Sequence, residues 1–239
     1  MTRTSYNLKA VQPAEETRKI LLLGASGAGK TTFLKSMPQP MKVMDFDAKG
    51  LAILGGHVEG ELTPLDGADA WADFKKDLDA LGKECPFRTV AVDSLSIAAD
   101  SVIEYAKVAN GNRSNRTNQE DWARAIVEVK DAIRKLRLLP CNVVVAMHFQ
   151  YEKDELLGTI MWQPAIFGKS LPGQLPAFFN DVWLLKVSTK MENGKPISER
   201  LLQMNADQRF TMLKNSSNGA WATEEKPDFA HLTTKLKRT

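Results

Sequence analysis

The stretch Gly24-Ala25-Ser26-Gly27-Ala28-Gly29-Lys30-Thr31 constrains this 239-residue chain more than any other feature. It matches G-x-x-x-x-G-K-[ST]. The glycines let the backbone turn tightly, so that successive N–H groups point inward at an anion. A helix starting at the lysine adds the positive end of its dipole. The flanks agree: the apolar run Ile20-Leu21-Leu22-Leu23 reads as a buried strand, and residues 31–37 read as a helix stopped by Pro38. The segment therefore reads as a loop that cradles the phosphates of ATP. Residues Gly24, Ala25, Ser26, Gly27, Ala28, Gly29, Lys30, Thr31 and Thr32 form the nucleotide site. Lys30 supplies a point charge to the β- and γ-phosphates, and the Thr31 hydroxyl is an oxygen ligand for Mg²⁺.

Such a loop needs a second Mg²⁺ anchor, an acid at the end of a buried strand. Asp93, closing Thr89-Val90-Ala91-Val92, fits, and it also stands where an acid caps the next helix. A further carboxylate should orient the attacking water. Asp45 and Asp47 end the second strand, which is the expected neighbour of the first. Alternation sends both to one side, and Asp47 is favoured because it lies nearer the loop. His148 ends the strand-like run Val143–Met147. That position lies beside the first strand, within reach of a γ-phosphate.

Apolar runs alternate with amphipathic stretches, the pattern of βαβ units around a mostly parallel sheet. Trp71, Phe74, Leu78 and Leu81 share a helical face, as do Trp122, Ile126, Val129, Ile133 and Leu136. Beyond His148 the pattern changes. Segments 182–189 and 197–204 flank Asn193-Gly194, a strong hairpin turn, and 209–214 reads as a third strand. The expected fold is α/β, with a parallel centre and antiparallel strands at the C-terminal edge. It divides into an arm (1–17), a core (18–230) and a basic tail (231–239). No apolar run approaches the 18 residues of a membrane span. Residues 1–17 lack the apolar centre of a secretory signal, and Cys85 and Cys141 have no metal-ligand spacing. These features suit a reducing cytoplasm and no membrane partner. The net charge of +3 is too mild to mark a nucleic-acid binder by itself.

Val90-Ala91-Val92-Asp93-Ser94-Leu95 resembles the second phosphate-site motif of RecA-type ATPases. The chain order is similar too. The nearer likeness is to the phage RecA-like proteins of the Sak single-strand annealing group. It rests on the acid-bearing strand Met44-Asp45-Phe46-Asp47, the strand end Ala146-Met147-His148, and the segment Gly168-Lys169-Ser170-Leu171-Pro172-Gly173. The resemblance covers about residues 18–230 and implies a RecA-like core acting in the cytoplasm of a bacterial host. It implies a homo-oligomer, ring or filament, with ATP between subunits, and partners that include single-stranded DNA and a single-strand binding protein. Two departures stand out. The water-orienting acid is Asp where RecA has Glu, which implies slow hydrolysis. Related proteins carry Lys-x-Arg near the end of the core, reaching a neighbour's γ-phosphate, but here only Lys214 survives.

The resemblance also places two DNA-facing loops. The first, 110–118, carries Arg113 and Arg116 and no acid; from Ala106 to Arg137 there are eight Lys/Arg against four Asp/Glu. The second, 150–168, offers Tyr151, Trp162 and Phe167, with the cations Lys153 and Lys169 towards its ends. Basic groups with aromatics suit backbone contact with base stacking. For the second loop, a hairpin covering the core with Trp162 as packing is the competing reading. The leading function is ATP-dependent binding and annealing of single-stranded DNA. The alternative is a nucleotide-switched partner-binding protein of the helicase-loader kind. A small-molecule kinase is weaker, because no Arg-rich lid follows the first βα units.

Overall fold

Strict alternation along the first strand assigns its residues to two opposite apolar layers. In the computed structural model, which describes residues 17–153, 160–192 and 195–237, that strand is β1 (Lys19–Gly24). Leu21 and Leu23 face one layer, and Ile20 and Leu22 face the other. Because side chains in a strand point alternately to opposite faces, a strand apolar at every position must be covered on both sides.

The remaining strands are β2 (Met41–Asp45), β3 (Gly60–Pro64), β4 (Thr89–Asp93), β5 (Asn142–Met147), β6 (Phe149–Lys153), β7 (Ile160–Pro164), β8 (Asp181–Glu192), β9 (Lys195–Gln203) and β10 (Glu224–Glu225). The helices are α1 (Lys30–Phe33), α2 (Gly50–Leu54), α3 (Ala70–Lys83), α4 (Leu95–Ala109), α5 (Gln119–Leu138), α6 (Leu171–Gln174) and α7 (Phe229–Leu236). The main sheet runs β10-β9-β8-β1-β5-β4-β2-β3, and β6 and β7 form a separate hairpin. β3, β2, β4, β5, β1 and β8 are parallel, whereas β9 and β10 are antiparallel. The fold class is thus the one expected: α/β, mostly parallel, with antiparallel strands at the C-terminal edge. Among the described residues, no helix is long and apolar enough to cross a membrane.

Helices α3, α4 and α5 cover one face, burying Trp71, Phe74, Leu78, Val102, Val129 and Ile133. Helix α5 opens with a capping box: Asn118 accepts from the Asp121 N–H, and Asp121 accepts from the Asn118 N–H. Helices α1 and α7 cover the other face with Phe33, Phe229 and Leu232, against Trp183 and Trp221. The basic tail therefore begins inside a packed helix. The Asn193-Gly194 turn, most of the N-terminal arm and the last two tail residues lie outside the described residues.

The structure corrects two expectations. The second strand is not the neighbour of the first: β5 and β4 stand between β1 and β2. β5 is buried on both faces from Val143 to Met147, and such a strand belongs at the centre. Segment 209–214 does not become a strand. Only Lys214 pairs, in a single antiparallel bridge with Val182, because the backbone of Arg209 and Phe210 turns onto the Asp207 carboxylate instead. A third finding concerns the cysteines. Far apart in sequence, Cys85 and Cys141 lie side by side, with sulfurs 3.6 Å apart. Burial pushes the Cys141 thiol up to about 12.

Candidate functional site: a phosphate cavity at the strand ends

Parallel strands end together, so the loops at their carboxyl ends converge. Here the register brings four chain segments to one edge. Leu23 of β1 pairs with Met147 of β5, which sets His148 level with Gly24. Val92 of β4 pairs with Val145, and Asp45 of β2 pairs with Asp93. Between these ends lies a cavity of about 300 Å³ lined by Gly27, Lys30, Thr31, Thr32, Asp47, Lys49, Asp93, His148 and Arg200.

The loop from Gly24 to Gly29 requires glycine at two places. Gly27 has φ 76° and Gly29 φ 103°, in the left-handed region where a side chain is strained. Lys30 is buried, and its Nζ donates to the carbonyls of Gly24 at 2.9 Å and Ala25 at 3.0 Å. It also lies 3.3 Å from His148 Nδ1. Burial lowers the Lys30 pKa, opposed by the nearby Asp93 and Asp47 carboxylates. The His148 pKa is lowered too, first by burial and then by the charge of Lys30, so His148 presents a neutral ring to the cavity. Its backbone N–H donates to Ser96 Oγ, which in turn donates to the Ala165 carbonyl at the end of the β6–β7 hairpin.

Thr31 Oγ1 donates to Asp93 Oδ2 at 2.5 Å. Asp93 is 3% exposed, and its pKa is raised, above all by burial, with the Thr31 hydrogen bond pulling the other way. A buried carboxylate is costly without a cationic or multiple hydrogen-bonding partner. A hydroxyl and a carboxylate side by side at a phosphate cavity are hard oxygen donors, the set that Mg²⁺ takes together with phosphate oxygens and water. Thr31 and Asp93 therefore fit that ion.

The structure also separates Asp45 from Asp47. The Asp45 carboxylate is buried and accepts the backbone N–H of Asp47 at 3.0 Å and of Gly50 at 2.7 Å. It folds the chain into α2. Asp47 is thereby lifted out of the strand, so strand alternation no longer applies to it. It lines the cavity and pairs with Lys49 at 2.9 Å.

Other expected residues lie elsewhere. Lys214 does not reach this chain's own cavity: its bridge partner Val182 is level with Leu21, three residues before Gly24. Arg113 and Arg116 are exposed on the α4–α5 loop. Asn110 and Asn112 of that loop are engaged internally, both donating to Asp121. Trp162 is packed: it stacks on Phe210 and meets Phe149 and Tyr151 edge-on. Lys153 and Lys169 are exposed. The sequence reading missed Arg200 on β9, whose Nε donates to the Ala28 carbonyl at 3.1 Å. No motif marks it. Only the long β8–β9 pairing brings it to the loop.

A sequence profile of the AAA domain family matches residues 16–219. No curated protein matches the chain. Similar solved structures include an ATPase from the type III secretion system of pathogenic bacteria, at 12% identity and TM-score 0.43; the match covers 71% of this chain and 51% of that one. The chain thus spans about half the length of that relative. Another is the flagellar accessory protein FlaH from Methanocaldococcus jannaschii, at 12% identity and TM-score 0.39, covering 87% of this chain and 83% of that one.

Proposed function

Since this chain belongs to the AAA domain family, we propose that it hydrolyses ATP at the cavity on the strand ends and uses the nucleotide state to control binding of single-stranded DNA. The observation that carries the ATPase reading is the Thr31–Asp93 hydrogen bond beside Lys30: one cation and one hard-oxygen pair meet at a glycine-rich loop. Lys30 exchanges its bonds to the Gly24 and Ala25 carbonyls for β- and γ-phosphate oxygens. Thr31 and Asp93 hold Mg²⁺, which when bound neutralises charge on those phosphates. Asp47 accepts a hydrogen bond from the attacking water and orients it. Neutral His148 reads the γ-phosphate, and through Ser96 its strand end is tied to the β6–β7 hairpin.

The test is Lys30→Ala. ATP hydrolysis should vanish and ATP binding weaken strongly, with unchanged circular dichroism. Undiminished hydrolysis by a folded variant refutes the reading.

Support for DNA comes from Arg113 and Arg116. Both are exposed, and neither side chain has a hydrogen bond or ion pair among the described residues. In the annealing reading, an oligomer of the Sak type presents these loops along a strand. Replacing both arginines by alanine should lower the slope of log affinity against log salt by about 1.4, at about 0.7 per phosphate contact on a single strand. Fluorescence anisotropy of a labelled oligonucleotide with ATP and Mg²⁺ measures it. The helicase-loader reading has its own support. Tyr151, Ile160 and Met161 on the β6–β7 hairpin are 67%, 52% and 42% exposed, an apolar surface suited to protein contact. Absence of ATP-responsive DNA binding by the wild type would favour it.

A further inference from the structure

Strand β8 does not stop at the sheet edge. Leu185 is level with Gly24, yet β8 continues to Glu192, and β9 returns alongside it. Arg200 pairs with Val187, two residues beyond that level. At about 3.4 Å per residue it stands roughly 7 Å past the edge, at the height of the phosphate cavity. Leu202, two residues further along β9, is buried against the α1 face of the sheet, and alternation puts Arg200 on that same face.

Three observations bear on what Arg200 does there. It lines the same cavity as Lys30, Thr31, Asp47 and Asp93. Its stem lies against the loop where a side chain is missing: a Cβ on Gly29 would come within 2.9 Å of Arg200 Nε and 3.1 Å of Cδ. Its Nε donates to the Ala28 carbonyl. Neither terminal nitrogen has a hydrogen bond or ion pair among the described residues. The guanidinium is thus anchored by one donor while its outer fork stays open. An open fork beside a phosphate site matches the bidentate geometry of a phosphoryl group.

We infer that Arg200 is a catalytic residue acting in cis, its guanidinium fork binding γ-phosphoryl oxygens of the nucleotide held by the same chain. The inference rests on the ATPase reading above. In the reaction, water oxygen bonds to the γ-phosphorus as the bond to the β,γ-bridging oxygen breaks. That oxygen leaves on ADP with the electron pair, one water proton stays on the phosphate and the other passes to solvent. Arg200 adds positive charge where the transferring group carries most negative charge, the task that the RecA-like resemblance implies for Lys214 of a neighbour.

The experiment compares wild type, Arg200→Ala and Arg200→Lys. It measures kcat and KM, melting temperature, and fluorescence-detected affinity for ADP and for a non-hydrolysable ATP analogue. Arg200→Ala should lower kcat by about 10²-fold or more. It should leave ADP affinity within about twofold while weakening the analogue more, since only the analogue has a γ-phosphoryl group. Arg200→Lys should regain analogue binding before turnover, because a point charge lacks the fork. Equal loss of ADP and analogue binding with a lower melting temperature would make Arg200 a brace of the loop and overturn the inference, as would an unchanged kcat. Mixing Arg200→Ala with Lys30→Ala protein should restore nothing, since both residues serve one site; recovery would place Arg200 at a neighbour's nucleotide and also overturn it. A wild type that binds no ATP would instead sink the ATPase reading itself.

Discussion

Replacing Asp45 by alanine should unfold the protein more readily, whereas replacing Asp47 by asparagine should slow turnover without destabilising it. The two acids are two residues apart at one strand end, and the structure gives them different surroundings: Asp45 is buried on backbone N–H groups, and Asp47 lines the cavity. Asp45 is 1% exposed, and its two oxygens each accept a backbone N–H, from Asp47 and Gly50. Alanine leaves the Gly50 N–H unpaired inside the protein, at about 1–3 kcal/mol, and leaves the Asp47 N–H only its longer bond of 3.2 Å to the Asp93 carbonyl. A cost of about 2 kcal/mol lowers the melting temperature by about 4–8 °C in a domain of this size. Asparagine at position 45 keeps one good acceptor and should cost about half as much. Among the described residues the Asp47 carboxylate pairs with the exposed Lys49 alone, a contact of small weight, so Asp47→Asn should melt within about 2 °C of wild type. Its kcat should fall while ATP affinity holds, because water orientation changes and phosphate contact does not. Thermal melts and steady-state ATPase assays on the three variants decide the matter. A wild-type melting curve for Asp45→Ala, or full turnover by Asp47→Asn, would refute the division of roles.

Two further outcomes follow from buried charge. Asp181→Ala removes the counter-charge of Arg18 at 3.2 Å and the acceptor of the Ser216 N–H, and should cost about 3–5 kcal/mol in a urea melt. The folded-state pKa of His148 lies below 6.5, so as pH falls the unfolded chain takes up the proton first and the folded state loses stability below that value. His148→Gln should remove this part of the slope in denaturation midpoints measured between about pH 5 and 7.

What could be read from the sequence was contiguous in it. The phosphate loop, Asp93 and His148 each follow an apolar run directly, so strand, turn and cavity-lining residue come as one word, and the carboxyl ends of parallel strands must share an edge. Strand order was less legible, because apolar runs report burial and not neighbours. β2 carries Lys42 and Asp45 whereas β5 has no charged residue and is buried from Val143 to Met147, and it is β5 that sits beside β1. The choice between Asp45 and Asp47 needed a backbone turn that strand alternation cannot foresee. Trp162 needed Phe149 and Phe210, which lie 13 and 48 residues away in sequence.

Arg200 marks the limit of such reading most clearly. The turn at Asn193-Gly194 announced a hairpin, and the hairpin fixes Arg200 opposite Val187. Yet nothing local says that β8 pairs with β1, and without that pairing Arg200 is one cation among the chain's 32 Lys and Arg. Three steps bring it to the phosphate edge: β8 on β1, β9 on β8, and a hairpin long enough to pass Gly24. Lys214 had the better sequence argument and ended level with Leu21, because it bridges the start of β8 at Val182 rather than the part of β8 that runs past Gly24. Chemistry carried by a loop after a strand is therefore visible early. Chemistry delivered by the far limb of an antiparallel hairpin becomes visible only once the register is known, and in this protein the register puts a guanidinium against the one loop residue, Gly29, whose missing side chain leaves room for it.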